Sequence, residues 1–147
     1  MKRCGEIAKE LIREDEGTTI YALKTLIQIA QLDDIAVDEE TILSNTIPLI
    51  RHVKANIRSL STQVIGSICA GDKESLDRVV KAGVLEVLGL GLDNEVDSAV
   101  RVKLCWALSN IASSSSYYIG KLLSAGLIHK LSKLVLSSSE FKVSWEL

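Results

Sequence analysis

Trp106 and Asn110 are the two residues of this sequence whose types and spacing point most directly to recognition chemistry. Four residues apart on a helix, they stack on one face with their Cβ atoms about 5–6 Å apart. Leu104 and Leu108 flank Trp106 two residues away on either side, about 200° around a wheel of 3.6 residues per turn, so the indole points away from their apolar stripe. An indole offers an apolar wall to an extended side chain and a cation–π surface to its charged end. The amide one turn on can bond both the N–H and the C=O of a peptide backbone. The pair therefore reads as a peptide clamp, with packing of Trp106 against a neighbouring structural unit as the alternative.

Bond-making chemistry finds no comparable set. His52 and His129 stand alone, with no Cys, His or acid at zinc-ligand spacing. Gly89-Leu90-Gly91 lacks the third glycine and the preceding strand of a dinucleotide fingerprint, and there is neither a G-x-S-x-G elbow nor a P-loop. The expectation is a protein that is not an enzyme and needs no cofactor or metal. Cys4, Cys69 and Cys105 are odd in number, widely spaced and without a C-x-x-C pair, a pattern of reduced thiols in an intracellular protein. The acidic run Asp33, Asp34, Asp38, Glu39 and Glu40 reads as a solvated loop leading into a helix, whose first turn favours acids.

The elements that position the pair must come from 147 residues, 47% hydrophobic and 24% charged, with one proline and a 4% aromatic share. Such a chain is hydrophobic enough to bury a core. Scarce aromatics amid abundant Leu, Ile, Val, Ala, Ser and Lys predict an all-α protein. A formal net charge of −2 provides no overall basic field for nucleic acid or acidic lipid. The longest uncharged stretches, Leu104 to Gly120 and Ser59 to Gly71, fall short of the roughly 20 apolar residues of a membrane span. Met1 to Glu6 carries no apolar signal segment.

The chain also repeats itself. Arg58 and Arg101, Ile68 and Ile111, Ala82-Gly83 and Ala125-Gly126, and Leu88 and Leu131 all match at one offset of 43 residues. A shorter, degraded copy runs upstream through Leu23, Leu26, Ile27, Ala30, Ile42, Leu43 and Ile47 to Ile50, and Phe141 to Leu147 begins a further one. Each unit reads as three helices. The middle unit has a helix from about Ile57 to Ala70, a short helix over Lys73 to Ala82 closed by a turn at Gly83, and a helix through Val84, Leu85, Val87 and Leu88. Gly89 and Gly91 predict that this last helix stops near Leu88. Ser113 to Ser116 and Ser137 to Ser139 predict loops. A period of 40 to 47 residues marks a stacked α-solenoid, and three helices with a glycine corner favour armadillo over HEAT. The expected fold is an all-α, armadillo-repeat right-handed α-solenoid of about three three-helix repeats in a single domain, 1–147. Its repeats span roughly 17–56, 57–99 and 100–142, with partial units at 1–16 and 143–147.

Leu104-Cys105-Trp106-Ala107-Leu108-Ser109-Asn110-Ile111-Ala112, followed by Leu123-Ser124-Ala125-Gly126-Leu127-Ile128 and Leu131, resembles an armadillo repeat of the importin alpha (karyopherin alpha) family. The resemblance extends over about residues 17 to 147, is most specific over 97 to 147, and fits the later repeats of that family, about the fifth to the start of the eighth. It implies a nuclear-import adaptor, cytoplasmic and nuclear, whose third helices line a groove for Lys/Arg-rich localisation signals. Trp106 and Asn110 would form one rung of a Trp/Asn ladder. Gly71 matches a position whose backbone carbonyl receives a signal lysine, and Glu146 matches an acid facing the same site. The preceding rung falls on Gln63 and Ser67, and the first unit's falls near Lys24 and Gln28. Lys103 stands where the family often has an acid.

Leu147 falls inside the next predicted helix, which predicts either a piece of a longer solenoid or a shortened relative that covers its apolar end with a second copy or a partner. Importin beta is implied as a partner only for a longer chain that carries the family's basic N-terminal segment. The competing reading is an armadillo scaffold that binds a non-basic partner or self-associates, with Trp106 as a packing residue.

Overall fold

The computed structural model describes residues 4–12, 15–30 and 39–137, all helices and turns. The helices are α1 Cys4–Glu10, α2 Glu16–Ala30, α3 Glu39–Thr46, α4 Ala55–Cys69, α5 Lys73–Lys81, α6 Val84–Asn94, α7 Ser98–Ser114, α8 Ser116–Ser124 and α9 Leu127–Ser137, with a 3-10 segment at Ile47–Arg51 between α3 and α4. The period seen in the sequence is the period of the fold. Ala55 and Ser98, Lys73 and Ser116, and Val84 and Leu127 open corresponding helices 43 residues apart.

Local chemistry sets the helix ends. Asp72 and Asp97 cap α5 and α7 by accepting from the backbone N–H of Ser75 (2.7 Å) and Val100 (3.1 Å). The Ser75 N–H holds the Asp72 carboxyl below its ordinary range. Between α5 and α6, and between α8 and α9, the backbone turns through the left-handed region at Gly83 (φ 91°) and at Gly126 (φ 72°), where a Cβ would be strained. In the first unit the equivalent of α6 shrinks to the five-residue 3-10 segment with Pro48 in its first turn, a residue that cannot donate to a helix interior.

One continuous core runs the length of the solenoid, through Leu23, Leu26, Ile42, Ile57, Ile65, Leu88, Leu104, Ile111 and Leu122. Polar stitches join each repeat to the next. Asn45 donates to the Ala8 carbonyl, Arg78 pairs with Glu39 at 2.7 Å, Tyr118 donates to Asp77, and Lys130 pairs with Asp93 at 2.6 Å. The Asp77 bond and burial push the Tyr118 hydroxyl up to about 12. Arg58 makes the most extensive set. Its Nε and Nη2 donate to the two Glu95 carboxylate oxygens, each at 2.9 Å, and its Nη1 donates to the carbonyls of His52 and Val53.

Two sequence expectations are corrected. The last helix of the middle repeat, α6, does not stop near Leu88 but continues to Asn94. Its glycines cost helix propensity but admit the next repeat: a Cβ on Gly89 would lie 3.0 Å from Leu127, and one on Gly91 would lie 3.2 Å from Leu104. The serines at 113 to 116 are not an extended loop either. Ser113 and Ser114 complete α7, Ser116 opens α8, and only Ser115, with extended backbone, separates them.

Candidate functional site

α2, α4 and α7 are corresponding helices of successive units, the long helix that opens each, and each packs beside the next as one layer. Their core-facing stripes, such as Val64, Ile65 and Ile68 on α4 and Leu104, Leu108 and Ile111 on α7, are buried. The remaining faces present the ladder positions. α7 is helical throughout 98–114, so Trp106 and Asn110 share a face, as their spacing requires.

Trp106 is 37% exposed and is seated on the neighbouring helix at a glycine. A Cβ built on Gly66 of α4 would lie 2.4 Å from Cζ3 and 2.7 Å from Cε3 of the indole, closer than non-bonded carbon atoms approach. One edge of the ring thus rests against α4 while part of the side chain stays exposed. Trp106 therefore packs on the adjacent repeat and keeps part of its surface exposed. Lys103, one turn earlier on α7, places Nζ 5.6 Å from the ring centroid, within cation–π range.

Asn110 binds the same platform. Its side-chain N–H donates to the Gly66 carbonyl at 2.9 Å, a carbonyl that also accepts from the Ala70 N–H at the end of α4. This bond orients the amide, and among the described residues its oxygen and second N–H have no partner, which leaves one donor and one acceptor available. Gln63 and Ser67 are half-buried on α4, one repeat before Trp106 and Asn110. Gly71 is exposed in the α4–α5 turn, where its N–H donates to the Ile68 carbonyl, about two helical turns beyond Gln63. Glu146 lies outside the described residues.

Further along this layer, between α2 and α4, a cavity of about 470 Å³ is lined by Ile20, Lys24, Asn56, Ser59, Leu60 and the capping Asp97, among others. Lys24 in this cavity and Lys103 beside Trp106 place two cations on this face, with Asp97 at the start of α7.

Burial pushes the Cys69 thiol up to about 12 and raises that of Cys105, so both are free thiols held in the protonated, poorly nucleophilic form. His52 Nδ1 accepts from the Lys54 N–H at 3.0 Å, and His129 is exposed on α9. Among the described residues no group of three or more His, Cys, Asp or Glu could hold a metal, and no helix is long and apolar enough to cross a membrane.

Sequence reasoning missed Gly66, the platform on which both rung residues rest. A signal was present: a glycine in the middle of a 15-residue helix costs roughly 1 kcal/mol relative to Ala, and one common reason to carry that cost is close approach of another element.

No family model matches the chain, and no curated protein matches it. Solved structures do. A designed armadillo repeat protein in complex with the peptide (KR)4 superposes with a TM-score of 0.86 at 28% identity, over 97% of this chain and 60% of that one. Another designed armadillo repeat protein superposes at 0.83 and 27% identity, over 95% of this chain and 60% of its own. An engineered protein superposes at 0.85 and 27% identity, over 97% and 59%. The chain has the armadillo-repeat fold, and it spans about 60% of the length of these proteins.

Proposed function

We propose that this chain is a binding module, without chemistry of its own, that holds an extended basic peptide along the α2–α4–α7 face, with Trp106 and Asn110 as the anchoring rung. The observation that carries this reading is the half-open indole fixed on Gly66, one turn before an amide that retains a free donor and acceptor. A lysine or arginine stem can lie on the ring while Asn110 pairs with the peptide backbone, a division between apolar wall and backbone reader that tolerates many sequences. Two further facts support a basic ligand. A structurally similar designed protein binds (KR)4, and the segment around Trp106 resembles importin alpha. On that resemblance the physiological ligands are nuclear localisation signals and the setting is nuclear import, between cytoplasm and nucleus, with Gln63, Ser67, Gly71 and Glu146 flanking the rung.

A second reading has an observation of its own. Lys24 lines the cavity beside α4 and Lys103 stands at the rung, so a neutral or acidic partner meets less repulsion on this face than a lysine-rich one. The two readings separate in one titration with fluorescently labelled peptides, the label being placed on the peptide because Trp145 also fluoresces. The expected result is that (KR)4 binds, that its affinity falls several-fold from about 50 to about 200 mM salt, and that Trp106→Ala abolishes binding. Binding of a poly-Glu peptide instead, or (KR)4 binding indifferent to Trp106→Ala, would reject the basic-signal function.

A further inference from the structure

Lys103 departs from the charge logic of a basic-peptide groove. It lies three residues before Trp106 on α7, so the two side chains meet on one face. Its ammonium is 5.6 Å from the ring centroid. Among the described residues no carboxylate pairs with it, so the indole is its electrostatic partner. The indole edge carrying Cε3 and Cζ3 is closed by α4 at Gly66, which leaves the ring a limited open surface. A cation of this chain's own sits over that ring.

We infer that Lys103 is a built-in occupant of the cation seat on Trp106, which a basic side chain of the peptide must displace, and that Lys103 thereby sets the affinity and salt response of the rung. The inference rests on the peptide-binding reading above. Two ammonium groups cannot share one ring face without repulsion, and Lys103 is long and flexible enough to swing into solvent once a peptide cation arrives. Free, the chain shields its indole; loaded, it exchanges an intramolecular cation–π contact for an intermolecular one. Net affinity is then lower than the ring alone would provide.

The test uses the whole chain, with wild type, Lys103→Gln, Lys103→Glu and Trp106→Ala compared by anisotropy of labelled (KR)4 and by NMR of the Lys103 side chain. Lys103→Gln is expected to bind about two- to fivefold tighter, the equivalent of one exposed cation–π contact. Lys103→Glu should bind about tenfold tighter and lose more affinity with salt than wild type does. In the free wild type the Lys103 ε-methylene protons should be shifted upfield by the ring, and saturation with (KR)4 should return them to the values seen in Trp106→Ala. If Trp106→Ala abolishes binding but Lys103→Gln binds no tighter than wild type, the displacement idea is overturned while the peptide reading stands. An ε-methylene shift that (KR)4 saturation leaves unchanged overturns it in the same way. If Trp106→Ala binds (KR)4 as wild type does, both fall together.

Discussion

The two junctions within the α2–α4–α7 layer are built from the same helix type and differ in what they allow. At the α4–α7 junction a tryptophan lies on a glycine, an amide binds that glycine's carbonyl, and a bidentate Arg58–Glu95 pair ties the start of α4 to the turn before α7. At the α2–α4 junction the two helices have 15 residues each and begin 39 residues apart. There the register places Ile27 where the other junction has Gly66, Gln63 where it has Trp106, and Thr19 where it has Arg58. Ile27 is buried, so a branched side chain stands at the register position where the other junction has only the hydrogen of a glycine. A rung is thus a property of two helices: the aromatic on one needs the missing side chain on the other.

Three changes would break or sharpen this contrast. The largest effect is expected for Arg58→Met. It leaves a Glu95 side chain that is 5% exposed with the Asp97 N–H as its remaining donor and frees two backbone carbonyls. Breaking one partner of a buried pair costs about 3–5 kcal/mol, and at this partly exposed site about 2–3 kcal/mol is expected, read as a lowered midpoint in urea unfolding. Next is an attempt to build a second rung. Gln63→Trp alone should cost about 1–3 kcal/mol through overpacking against Ile27. Combined with Ile27→Ala, the loss should be smaller than the sum of the single changes by about 1 kcal/mol or more in a double-mutant cycle; strict additivity would show that Ile27 does not block an indole at position 63. The smallest stability change belongs to Gly66→Ala, where the helix preference of Ala, about 1 kcal/mol, offsets the strain of moving the ring. Its signature is the site: in a Trp145→Phe background the Trp106 emission should shift to the red, and the proposed binding of (KR)4 should weaken.

Much of the scaffold was legible in the residues. The offset of 43 predicted the spacing of α4 to α9, and Gly83 and Gly126 marked two corners that require positive φ. The pair Trp106 and Asn110 was legible because helical geometry alone puts residues four apart on one face. The end of α6 was not. Gly89 and Gly91 argue locally for a stop near Leu88, yet Leu104 and Leu127 of following helices use the space they leave. The bond from Asn110 was equally hidden, since its acceptor is 44 residues away and only the stacking of repeats brings the two together.

By itself, then, the sequence determined the helical class, the period and the face on which the rung residues stand, because these follow from local propensity and from the 3.6-residue turn. The stacking of repeats decided the rest: the reach of α6, the seat of Trp106 on Gly66, the orientation of Asn110 and the pairing of Arg58 with Glu95. Each of those depends on groups distant in the chain filling one another's space or satisfying one another's charge, and such complementarity comes into being only when the repeats are packed.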